Sequence, residues 1–157
     1  MFTSHLWIEG HDYQARASAR RLGLGRQFYT LKGERVEFGP NKGTPRDRSI
    51  LRVPLSDHVD YERHMRQVEA RLGQLMTFLS SERQRYGDGV SIHLSVGMTV
   101  GDERYFVRSF CASPALMSVL VALGIHLSIN AYPCSDQTER KHLKWSDGIG
   151  RMPGLGK

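Results

Sequence analysis

The stretch from Ser113 to Pro133, SPALMSVLVALGIHLSINAYP, constrains the fold of this chain most. It places a helix, its stop and a strand within 21 residues. Ser113 can cap a helix, and Pro114 sits in its first turn, where a missing N–H costs nothing. Leu116, Val119, Leu120 and Leu123 recur at helical spacing, and Gly124 can take the left-handed conformation that ends a helix. Ile125, Leu127, Ile129 and Ala131 then alternate with His126, Ser128, Asn130 and Tyr132, which is the period of a strand. The unit identifies an architecture and no activity.

Upstream, Phe2, Ser4, Leu6 and Ile8 alternate with Thr3, His5, Trp7 and Glu9, predicting a first strand that Gly10 ends. Asp12 is placed to cap a helix over residues 13–22. A small-residue stripe of Ala15, Ala17 and Ala19 would approach the sheet, with Arg16, Arg20 and Arg21 toward water. Residues 27–31 have the aromatic content of a strand, and Lys32-Gly33-Glu34 reads as a turn. Residues 38–49, FGPNKGTPRDRS, read as a long basic loop. Loops of that length are usually functional or disordered. Ile50 to Leu55 resumes a strand, with Pro54 favouring an edge.

The longest element is a helix over residues 59–86, with Asp57 or Ser56 as its cap. Tyr61, Met65, Val68, Leu72, Leu75, Met76 and Leu79 form its apolar stripe, and the two methionines are core filler. Val90, Ile92, Leu94 and Val96 alternate with polar residues as a strand. Residues 101–110 predict a hairpin return. The order is therefore β-α-β-β-α-β-β-α-β, an α+β sandwich with a mainly antiparallel sheet and helices packed on one face. A ferredoxin-like variant fits this order. Residues 1–135 form the single domain. Residues 136–157 read as a polar, Gly-rich tail, with Trp145 as a residue able to dock back on the body.

The closing Asn130-Ala131-Tyr132, after Leu123-Gly124, resembles the end of the domain of unknown function 4279 family. The opening FTSHLWIEG, Asp12, Arg21-Leu22-Gly23-Leu24 and Lys32-Gly33-Glu34 extend the resemblance over roughly residues 2–133. Two family features are missing: Gly25 and Arg26 replace a proline after the first helix, and Ile50 to Leu55 stand where a tryptophan is usual before the middle helix. The family has no established general activity. Some members lie beside bacterial toxin genes, so the resemblance implies an immunity protein that binds a cognate toxin.

With 157 residues, 39% of them hydrophobic and 24% charged, the chain fits one globular domain with a real core. No apolar run is long enough to span a bilayer, and the first residues lack the pattern of a secretory signal. A cytoplasmic protein is the expectation. Cys111 and Cys134 have no metal-type spacing. A reducing compartment would leave them as thiols, and their spacing leaves pairing open.

The net charge of +6 is uneven, because residues 14–52 hold ten Lys/Arg against three Asp/Glu. Such an excess either steers an acidic partner, protein or nucleic acid, or simply keeps a surface solvated. Lys32, Arg35, Lys42, Arg46 and Arg48 are the candidate charge donors around the loop. Trp7 and Tyr132 are candidate anchors, and Tyr105 is a further aromatic on the same predicted face. Aromatics among basic groups suit protein hot spots or base stacking.

No nucleophile elbow, phosphate loop, His-Glu-x-x-His or Cys-x-x-Cys is present, so no catalytic residue and no cofactor is predicted. His5, His93 and His126 each fall on the polar side of an alternating strand. Zinc would accept three imidazoles if those strands were neighbours, and three surface histidines are the plainer reading. His58 and His64 are poorly spaced for ligation. The expectation is a non-enzymatic protein-binding module. A nucleic-acid binder using the basic loop stands second, and a histidine metalloprotein third.

Overall fold

A computed structural model describes residues 1–100 and 109–133. The predicted return strand of 101–110, Cys134 and the tail with Trp145 lie largely or wholly outside the described residues. Phe110, which is described, is in no strand and packs edge-on to Tyr61.

The chain is an α+β protein built on one five-stranded sheet in the order β2-β3-β1-β4-β5. Its strands are β1 (Phe2–Gly10), β2 (Tyr29–Thr30), β3 (Ser49–His58), β4 (Ser91–Val100) and β5 (His126–Pro133). Its helices are α1 (Ala15–Arg21), α2 (Tyr61–Tyr86) and α3 (Pro114–Ala122). All neighbouring strands are antiparallel except β4 and β5, which run parallel. Strand β3 thus separates β1 from β2, and β1 separates β3 from β4. The result is two interleaved split β-α-β units, the ferredoxin-like arrangement, extended by α3 and β5.

One core cluster contains buried residues of all three helices, so the helices share one face of the sheet. Strand alternation supplies the other half of that core. Leu6, Ile8, Leu51, Val53, Ile92, Leu94 and Val96 are fully buried, while their sequence neighbours point to the opposite side.

Local chemistry explains several differences from expectation. The α1 face is Ala15, Ser18 and Ala19, and Ala17 is exposed. Spacing of 15, 17 and 19 is strand spacing, and a helix instead repeats at three and four residues. Asp12 contacts His11 and caps nothing; Gln14 takes the cap position without a side-chain bond. Strand β3 runs on through His58, so Ser56 and Asp57 are strand residues. The cap of α2 is Asp60, whose carboxylate accepts from the Arg63 amide at 2.8 Å.

The expected strand of 27–31 shrinks to β2 after a 3-10 turn over Arg26–Phe28. Strand β2 pairs only with Ile50 and Leu51, so Pro54 lies where β3 has become an edge among the described residues. A bulge there, between the Ser4–Ser56 and His5–Pro54 pairs, accommodates the missing N–H. Ser113 and Gly124 act as predicted: the Ser113 hydroxyl accepts from the Leu116 amide, and Gly124 has φ of 58°. Ile125, just before β5, and Leu127 meet the core, but Ile129 is 48% exposed and Ala131 is exposed.

Candidate functional site

The basic loop is an ordered hairpin. Backbone bonds link Gly33 N to Arg46 O at 2.8 Å, Arg46 N to Glu34 O at 2.9 Å, and Val36 N to Thr44 O at 2.9 Å. Gly43 N closes the ladder on Val36 O at 2.8 Å. Gly39 and Gly43 have φ of 91° and 88°, which lets the tip reverse where an L side chain would be strained. At that tip Phe38 is 82% exposed.

The five predicted cations divide by their surroundings. Arg35 and Lys42 are exposed and make no ion pair among the described residues. Arg46 is half-buried beside Glu34, with its Nε buried and unbonded. Burial raises the Glu34 carboxyl, but the Leu31 amide and the Arg26 guanidinium outweigh it and hold the group below its usual range. Arg48 reaches Glu9 at 3.5 Å and Asp47 at 3.8 Å. Lys32 Nζ lies 2.6 Å from His11 Nε2. The root of the hairpin is thus held by its charges, and the tip carries the available ones.

Trp7 and Tyr132 share the helix-free face of the sheet. Arg52, which faces Trp7 across the β1–β3 pair, lies over the Trp7 ring at 5.7 Å; burial lowers its pKa, and it remains a cation. The Tyr132 ring covers Gly97, where an added Cβ would sit 3.1 Å from that ring and 2.7 Å from the Thr3 hydroxyl.

His93 and His126 are register partners, with stacked rings 5.1 Å apart, and Glu9 lies 3.8 Å from His93. His5 is opposite Ser95, one row away. The strands are therefore neighbours, as the zinc reading requires. No three His, Cys, Asp or Glu side chains among the described residues are grouped to hold a metal.

Two polar side chains in the α2 apolar stripe escaped the sequence reading. His64 and Glu82 are both fully buried. His64 Nε2 is 2.8 Å from Ser4 Oγ, and its ring packs on Phe2. Burial, then the nearby His58 and chain N-terminus, push the His64 imidazole down to about 4. Both members of this Ser–His pair are fully buried. Glu82 accepts from Ser18 Oγ at 2.7 Å and from Arg21, tying α2 to α1. Tyr13 lies beside this network, and burial pushes its phenol far up. Spacing could place these residues on the buried face, but only contacts 60 or 64 residues away show why they are tolerated.

A cleft of about 540 Å³ opens at one end of the sheet, lined by Glu9, His11, Arg48, Arg83, Asp88 and His126 among others. Arg83 is spent there on the carbonyls of Val90, Leu123 and Gly124. Glu9, Asp47 and Asp88 outnumber Arg48 and Arg83 in this lining, and Arg48 already faces Glu9 and Asp47. Among the described residues no helix is long and apolar enough to cross a membrane. No protein-family model, curated protein or solved structure matches the chain.

Proposed function

We propose that this chain is a non-enzymatic, cytoplasmic binding protein whose hairpin engages an acidic protein partner, as an immunity protein would engage its toxin. The observation that carries the reading is Phe38, 82% exposed at the tip of an ordered hairpin that also bears Arg35 and Lys42. An aromatic side chain held out on a rigid ladder loses little entropy when it enters a partner's pocket. Flanking cations without ion pairs steer an acidic surface toward it. The choice of a toxin as that partner rests on the resemblance of short motifs to the domain of unknown function 4279 family.

The test is capture of the product of the neighbouring reading frame by the purified protein. Arg35→Glu combined with Lys42→Glu should slow association about tenfold at low salt, and Phe38→Ala should speed dissociation. Association and dissociation rates unchanged in both variants would remove the hairpin from the interface. Failure of the wild-type protein to bind that product would remove the toxin reading itself.

A further inference from the structure

Among the described residues, the other side of the sheet presents a second surface, away from the three helices. Because the helices share one face, four adjacent strands present side chains on the opposite one. Register sets these in rows. Arg52, Trp7, His93 and His126 stand side by side on β3, β1, β4 and β5. His5, Ser95 and Ser128 form the next row, and Thr3, Gly97 and Asn130 the one after, with the Tyr132 ring over Gly97.

We infer that this face binds single-stranded nucleic acid, with bases stacked against Trp7, the His93–His126 pair and Tyr132. The chemistry of the face selects that ligand. Strands β1, β4 and β5 place no Leu, Ile, Val, Met or Ala on it between Thr3 and Glu9, Ser91 and Thr99, and His126 and Tyr132, while β3 adds Ile50 at the margin opposite Glu9. A protein interface core or a lipid surface would call for such aliphatic groups.

Flat, delocalised side chains dominate instead, and they already stack on one another: Arg52 on Trp7, and His93 on His126. Every unpaired base offers a π-face to such groups, whereas a duplex hides its own. The Trp7 row and the Gly97 row lie four residues apart on β1, about 13 Å, which gives room for more than one unstacked nucleotide. Asn130 Nδ2, 3.1 Å from Ser95 Oγ and 3.4 Å from Ser128 Oγ, supplies polar groups for base edges between the rows. The chain's net charge of +6 complements a polyanion, and Arg52 in the first row places one cation on the face itself.

The test is fluorescence anisotropy of a short, labelled single-stranded oligonucleotide of mixed sequence, as RNA and as DNA, titrated with the full chain at low salt. The expected result is saturable binding that exceeds binding to the matching duplex. Trp7→Leu and Tyr132→Leu should each weaken it about tenfold, His126→Ala should weaken it severalfold, and Phe38→Ala should leave it unchanged. Tyr132 and His126 are exposed, so those two variants keep the test decisive if Trp7→Leu loses its melting transition. No saturable binding, equal binding of the duplex, or affinity unmoved by both Tyr132→Leu and His126→Ala would overturn the inference. The hairpin reading stands or falls separately, on its protein partner.

Discussion

The two faces of this sheet come from the same strands by simple alternation, yet they treat polar side chains in opposite ways. On the covered face, Ser4 meets His64 across the interface between sheet and helix, and beyond the sheet Glu82 of α2 meets Ser18 and Arg21 of α1. Each is a buried group whose partner comes from another element. On the open face, partners such as Asn130 and Ser95 or His93 and His126 also come from different strands, but these groups stay partly or fully exposed, as does Phe38 at the hairpin tip. Buried polar pairs lock elements together because breaking one strands its partner without water. Exposed groups have no such penalty and remain available for a ligand.

That contrast can be broken by mutation. The largest effect is expected from Leu94→Ala, which empties a fully buried position in the central core and should cost about 4 kcal/mol in urea unfolding. Its strand neighbour Ser95, on the open face, should tolerate alanine within about 0.5 kcal/mol. Similar losses at the two positions would refute the division.

Next is pH. His64 titrates near 4 in the folded chain against 6.5 when unfolded, so between those values the unfolded chain binds more protons. The contribution is complete above about pH 6.5 and is lost as pH falls toward 4, about 3 kcal/mol in all. His64→Leu should flatten this slope in unfolding measured across that range. A slope that survives the substitution would assign it to other groups.

Glu82→Ala should cost about 2 kcal/mol, because it leaves the buried Ser18 hydroxyl without its acceptor and Arg21, only 39% exposed to water, without its carboxylate. Glu82→Gln should cost less by retaining a bond to Ser18, and equal losses would mean that the charge, not the hydrogen bond, matters. Gly97→Ala should cost about 1 kcal/mol, since the added Cβ meets the Thr3 hydroxyl at 2.7 Å and pushes on Tyr132. It should also perturb the open face while leaving the core packing intact. The smallest effect belongs to Arg35→Glu with Lys42→Glu, whose melting temperature should match wild type even as partner association slows.

Legibility followed range. The α2 stripe, the β1 and β4 alternation, and the Ser113 cap with its Gly124 stop could be read directly, because each depends on residues a few positions apart. The α1 face was misread from three alanines, since composition hid the helical period. The β2 strand was overextended, because the aromatics Phe28 and Tyr29 suit a strand but Gly25 and the Glu34 contacts favour a tight turn. The hairpin ladder was missed because FGPNKG reads as irregular, although its two positive-φ glycines are the signal of a reversal. A lone Phe38 among glycine, proline and asparagine was the sign that its tip is presented outward.

The amino-acid sequence by itself determined the α+β class, the apolar residues that face the core on β1, β4 and α2, and the uneven placement of charge. These follow from side-chain period and local backbone preference. Only the tertiary structure decided the order β2-β3-β1-β4-β5, and with it every cross-strand relationship. Strand pairing joins residues far apart in the chain, so no local pattern encodes that Arg52, Trp7, His93 and His126 share one row. The same holds for which charges are paired: among the described residues Arg26 and Arg48 meet carboxylates, and Arg35 and Lys42 do not. Their side chains are chemically alike, and their surroundings make the difference.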